Sequence, residues 1–324
     1  MRRREFVTLI GGGGLAWSIA APAQQVQPVV GVLHEGLPAP LSLTTAFLQG
    51  LNDGGIGQSS RIKIVDRWAE GQYDRLPKLA ADLIDQGVNV IVAAYLVAAR
   101  AAEAATHTVP VVFITGSDPV AAGLASSLNQ PTGNATGIAF MFTRLMEKNL
   151  ATLHELVPNA LVVGALVNPN NSNVGPQLHD LRAAASGFSL EIVALSAANE
   201  SEIDSAFESL TQQNIQALLI TADGFFFGLQ DKLATLAARY AVPAFYPLSD
   251  YVLAGGLVSY GANLAESWRQ AGSYVARIIK GTKPSDLPIM QAAKFELVIN
   301  SRTAKALQLE IPPKVLALAD RVIE

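Results

Sequence analysis

Four short β-branched runs recur in one order, about 130 residues apart, and few folds can accommodate such a repeat. Val29-Val30-Gly31-Val32-Leu33 returns as Val162-Val163-Gly164-Ala165-Leu166, and Val109-Pro110 opens a run as Val242-Pro243 does. Ile64-Val65 anticipates Ile192-Val193, and Val88-Asn89-Val90-Ile91-Val92 anticipates Ile215-Gln216-Ala217-Leu218-Leu219. Helical patterns separate these runs, which is the signature of βαβ units and a parallel sheet. Two similar α/β lobes, each a doubly wound parallel sheet, are the economical reading.

The intervening segments carry helix periodicity. Leu76, Leu79, Ala80, Leu83 and Ile84 follow i, i+3, i+4, i+7, i+8 spacing, with Gly87 where a left-handed C-terminal cap belongs. Ile203, Phe207 and Leu210 form a second stripe, and Leu229, Leu233, Leu236, Ala237 and Tyr240 a third. These are core positions. After the repeat come a helical stretch from Glu266 to Ile279 ended by Gly281, a strand from Phe295 to Ile299, and a short helix near Thr303 to Leu307.

In open parallel sheets, ligands settle beyond the carboxyl ends of the strands, where helix N-termini point free N–H groups outward. Here those ends are polar or aromatic. They offer His34, Glu35, Tyr95 and Thr115-Gly116-Ser117-Asp118 in the first half, then Asn168 to Asn171, Asp223, Phe225 to Phe227 and Tyr246 in the second. Asp118-Pro119 predicts a helix start, with capping and ligand contact both open to Asp118 and Ser117. Asp223 follows a buried apolar run, so it is either an N-cap or the anchor of a ligand ammonium. Three consecutive phenylalanines cannot all enter one core from a loop, which leaves at least one to face an apolar ligand.

Composition narrows the function classes. No cysteine is present, which excludes disulfides, thiolate metal sites and an acylated cysteine anchor. The net charge of -4, without a basic run beyond the N-terminus, argues against nucleic acid. His34 and Glu35 are the only metal candidates with neighbouring donors, but His107, His154 and His179 stand at unrelated positions and no H-E-x-x-H occurs, so no metal is expected. No G-x-S-x-G, phosphate loop or dinucleotide fingerprint follows a strand, so neither a cofactor nor catalysis is expected.

Residues 1–23 predict a cleaved export signal: Arg2, Arg3 and Arg4, an apolar stretch from Phe6 to Ala21, then Ala21-Pro22-Ala23 as a cleavage site. The arginines and the glycine-diluted stretch resemble a twin-arginine signal, with the Sec route as the alternative. About 16 glycine-rich residues fall short of the ~20 that span a bilayer. Removing three arginines and Glu5 leaves a mature chain near -6, a soluble periplasmic protein with no lasting membrane insertion.

Several longer stretches are distinctive in combination: Arg67-Trp68-Ala69-Glu70-Gly71-Gln72-Tyr73-Asp74-Arg75-Leu76, Gly116-Ser117-Asp118-Pro119-Val120, Asn129 to Gly137, Val167 to Asn171, Ser259-Tyr260-Gly261 and Lys294 to Asn300. Together they resemble the ABC transporter substrate-binding family that includes proteins of the tryptophan- and aromatic-amino-acid-binding type. The resemblance implies a type I periplasmic-binding fold, in which a hinge of three crossovers joins a lobe of residues 27–138 and 262–289 to one of 139–261 and 290–324. It also implies a monomer that binds a small solute, an amino acid or related carboxylate, and passes it to an ABC permease and its ATPase. The positions that fit a ligand site are Ser117, Asp118, Asn168, Asp223, Phe226 and Tyr246. Ala94-Tyr95-Leu96-Val97 departs from the small Gly/Thr-rich loop of the family, so Tyr95 either fills part of the pocket or stacks on the solute. An extracytoplasmic sensor and an exported α/β enzyme are the competing classes, since a fold alone does not settle function.

Overall fold

A computed structural model describes residues 27–38, 41–57, 62–131, 133–141, 145–292 and 294–324; the expected export signal lies outside the described residues. The first lobe begins with β1 (Val29–His34), α1 (Leu41–Asp53), β2 (Lys63–Trp68), α2 (Leu76–Asp85), β3 (Val90–Ala94), α3 (Leu96–Ala105), β4 (Val111–Thr115) and β5 (Ala135–Ala139). Every residue of β3, β4 and β5 is buried, as expected for central strands covered by helices on both faces. The edge strand β2 is exposed or half-buried at every position.

The second lobe repeats the plan with α4 (Met146–Leu156), β6 (Val162–Val167), α5 (Val174–Ser186), β7 (Glu191–Ser196), α6 (Glu200–Glu208), β8 (Ala217–Ile220), α7 (Gly224–Phe227), α8 (Gln230–Arg239), β9 (Ala244–Tyr246), α9 (Ser249–Leu253) and β10 (Val258–Ala262). The chain then returns to the first lobe as α10 (Leu264–Ile279), which lies along α1, and β11 (Met290–Gln291), before ending in the second as β12 (Phe295–Asn300), α11 (Ser301–Ala306), α12 (Pro313–Leu318) and β13 (Arg321–Ile323).

Two sheets result, six strands ordered β11-β5-β4-β3-β1-β2 and seven ordered β13-β12-β10-β9-β8-β6-β7. Their repeated parts, β2-β1-β3-β4-β5 and β7-β6-β8-β9-β10, match strand for strand. All pairings are parallel except β10 with β12. The fold is therefore α/β, two doubly wound sheets of type I periplasmic-binding form.

Helix ends follow local chemistry. Pro77 opens α2, and Gly87, with φ +70°, donates its N–H to the Ile84 carbonyl at 2.9 Å just beyond the helix. Asn263 caps α10 by accepting the Glu266 N–H at 2.9 Å, and Asn300 caps α11 in the same way.

Two expectations need correction. Asp118-Pro119 starts no helix: Asp118 Oδ1 accepts the N–H groups of Val120 and Ala121 at 2.9 and 3.2 Å, and the chain makes one turn that ends at Gly123, φ +76°. The Asp-Pro signal is local, and a single turn satisfies it. The last crossover also comes later than residue 289, because Met290 and Gln291 pair with Ile138 and Ala139 in the first sheet.

Candidate functional site

The lobes meet at the carboxyl ends of their strands, and the deepest contact centres on Asp223, which follows β8. Its backbone is extended, φ -153°, so its side chain folds back over α7: Oδ1 accepts the N–H groups of Phe225 and Phe226 at 3.0 and 3.3 Å. Asn168 Nδ2 approaches the same oxygen at 3.3 Å, while Oδ2 accepts Asn171 Nδ2 and the Tyr73 hydroxyl, each at 2.8 Å. A carboxylate has about four lone-pair sites, so these five donors saturate it. Burial still raises the Asp223 carboxyl above its ordinary range, against the pull of those hydrogen bonds.

Tyr73 belongs to the first lobe, so its bond to Asp223 ties the lobes together, as does Arg100 Nη1 donating to Ser172 Oγ at 3.1 Å. The surfaces approach too closely for side chains. A Cβ on Gly224 would stand 2.9 Å from the Tyr95 ring and 3.0 Å from Glu35 Cβ, and one on Gly228 would stand 2.7 Å from Leu37. Gly71, with φ +80°, lies against the Phe225 ring in the same way. The lobes are closed on one another.

Glu35, at the end of β1, is the second carboxylate of the cleft and is only 1% exposed. Its Oε1 accepts the N–H groups of Val97 and Ala98 in the first turn of α3, the latter at 3.1 Å. Its Oε2 is buried and has no hydrogen-bond partner among the described residues. Burial, reinforced by the charge of Asp223, pushes the Glu35 carboxyl well above its usual range.

Tyr95 caps the same helix with φ +73° and ψ 176°, a backbone region that is essentially glycine-only and costs other residues about 1–3 kcal/mol. Its ring lines two adjoining cavities. The first, of about 30 Å³, is also lined by Glu35, Ser117, Phe140, Asn171, Gln177 and Asp223; the second, about 10 Å³, by Phe140, Phe227, Leu248 and Tyr251.

Tyr95, Ser117 and Asp223 therefore line the cleft, and Asn168 stands directly behind Asp223. Asp118 is occupied with its turn. Phe226 is fully buried in the core of the second lobe, and Tyr246, equally buried, stacks behind Tyr251 with centroids 5.1 Å apart and lines neither cavity. All three phenylalanines are buried, but not in one core: Phe225 lies at the seam against Gly71, Phe226 in the core of the second lobe, and Phe227 against the second cavity. Glu35 appears in the sequence only as a polar strand end. Asn171 likewise appears only within the polar run after β6, and Tyr73, Gln177 and Gly224 carry no local signal of their role, since each acts through a partner distant in the chain.

His34 stacks on Trp68 at 3.4 Å and faces Asp66 at 3.1 Å, with its pKa lowered by burial. Among the described residues no group of His, Asp and Glu could hold a metal ion, and no helix is long and apolar enough to cross a membrane.

Comparison with known proteins places this architecture. A tyrosine-binding protein of Clostridioides difficile is 26% identical over 264 residues, 82% of this chain and 76% of the relative. A conserved domain protein of Vibrio cholerae superposes with a TM-score of 0.82 at 25% identity, covering 91% of this chain and 99% of that one. An ABC domain of Streptococcus pneumoniae in complex with L-Trp superposes with a TM-score of 0.79 at 24% identity, covering 92% and all of the other chain. The sequence model of the ABC transporter substrate-binding proteins matches residues 29–323. With the match running from β1 to β13, the chain belongs to the ABC transporter substrate-binding protein family.

Proposed function

We propose that this chain is the solute-binding component of an ABC importer, which closes in the periplasm around a small nitrogen-bearing solute, an amino acid or a relative of one, and presents it to a permease and its ATPase. One observation carries the reading: the Tyr73–Asp223 hydrogen bond crosses the cleft beside the cavity, so the bond that closes the lobes is made at the place where a solute is enclosed. Closure is then a hinge equilibrium biased by whatever the cavity holds.

Family membership and the tyrosine and L-Trp named for two similar proteins support an amino-acid-sized solute. Asp223 is saturated by donors, and His34 is sequestered against Trp68, so neither is poised as a base toward the cavity.

Differential scanning fluorimetry with amino acids, amines and small carboxylates tests the reading. A saturable rise in melting temperature is expected for at least one compound. A flat response throughout the panel contradicts it.

A further inference from the structure

The chain supplies, from its own residues, two parts that an aromatic amino acid would bring to such a cleft. A ligand carboxylate is well placed at a helix N-terminus, but at α3 that position is taken by Glu35, which accepts the Val97 and Ala98 N–H groups. A ligand ring would need the aromatic space between the lobes, and Tyr95 stands there among Phe140, Phe227 and Tyr251. The tyrosine is held in a backbone region suited to glycine, so its ring is kept in the cleft against a conformational cost. The remaining 30 Å³ admits only a molecule of a few heavy atoms, far below the ~300 Å³ at which pockets for larger ligands begin.

What that space lacks is hydrogen-bond donors. Glu35 and Gln177 both line the cavity, Glu35 Oε2 and Gln177 Oε1 are buried with no partner among the described residues, and the Gln177 orientation is set by its Nε2 donating to the Ala222 carbonyl at 3.1 Å. Unmet buried acceptors are costly, and an ionised one more so. No lysine, arginine or histidine among the described residues lines either cavity, although two carboxylates do the work of capping there.

Resting on the solute-binding reading above, we infer that the cleft selects a compact primary ammonium without a carboxylate or aromatic ring of its own, with Glu35 and Gln177 accepting its N–H groups and Tyr95 excluding larger side chains. Burial favours the protonated form of Glu35 in the empty cleft, and an ammonium beside it would offset the cost of the ionised form as that proton leaves. Tyr95 and Phe140 also line this space, and aromatic rings favour a nearby ammonium.

The test is calorimetric titration and thermal shift of the mature chain with ethanolamine, tetramethylammonium, L-alanine, L-tyrosine and L-tryptophan, repeated on Glu35→Gln and Tyr95→Gly. Ethanolamine is expected to bind saturably. Tetramethylammonium, which has no N–H donor, and the aromatic amino acids are expected to leave the wild type unchanged. Glu35→Gln should weaken ethanolamine at least tenfold, and Tyr95→Gly should gain a response to L-tyrosine or L-tryptophan. Saturable binding of L-tryptophan, L-tyrosine or L-alanine to the wild type in place of ethanolamine overturns the inference and leaves the solute-binding reading standing, as does full ethanolamine affinity in Glu35→Gln. No response to any compound by wild type or Tyr95→Gly overturns both. The wild-type panel decides alone if either variant fails to fold.

Discussion

The Tyr73 hydroxyl donates a 2.8 Å hydrogen bond to Asp223 Oδ2, across 150 positions of sequence and from one lobe to the other. Hydrogen bonds to charged groups contribute about 1.5–3 kcal/mol. This one exists only when the lobes meet, so it acts on the open–closed equilibrium and leaves each lobe's core untouched. Tyr73→Phe is therefore expected to weaken solute affinity about 10- to 100-fold with little change in the melting of the unliganded protein, as titration calorimetry and thermal melts would show.

Asp223 has a structural duty as well. Asp223→Ala removes the cap of α7 and strands the amides of Asn168 and Asn171. Loss of about 2–4 kcal/mol is expected, read as a lower denaturant midpoint, together with loss of solute binding. Asp223→Asn, which keeps an acceptor for the cap, should recover part of the stability.

Gly224 tests closure sterically. A Cβ there would fall 2.9 Å from the Tyr95 ring and 3.0 Å from Glu35 Cβ, closer than such contacts allow. Gly224→Ala should hold the lobes apart, giving a larger radius of gyration by small-angle scattering at saturating solute than the wild type shows, with unchanged helix content.

The repeat made the two-lobed fold legible, because parallel strands buried on both faces are written as continuous apolar runs and β1, β4, β6 and β9 all carry them. Asp223 was legible too, as a polar cap after such a run. The seam was not. Gly36, Gly71, Gly224 and Gly228 look like ordinary turn glycines, and nothing near Glu35 in sequence announces that it caps a helix more than 60 residues away. Asp118 misled because its signal is complete within four residues, whereas a full helix also needs a face to bury. The phenylalanine run splits between seam, core and cavity, because closure of a second lobe creates burial that one core cannot offer.

The pH dependence of the unliganded protein follows from Glu35. Its carboxyl is raised well above 4.5 by burial and by Asp223, with Tyr73 and Tyr95 as the other titratable groups facing it. The folded state thus retains a proton that the unfolded state releases, so stability falls as pH rises from the ordinary carboxylate range through the raised value. Thermal melts between about pH 4 and pH 8 should show this decline in the wild type, and Glu35→Gln should make it shallower, with the raised carboxyls of Glu103 and Asp223 keeping their share.

Native mass spectrometry of the protein, purified gently from the cells that make it, tests the central claim most directly. One small amine-bearing molecule per chain is expected, displaced by collisional heating and restored by adding it back. A chain that carries none, and that takes up no amine or amino acid when offered them, would contradict the account.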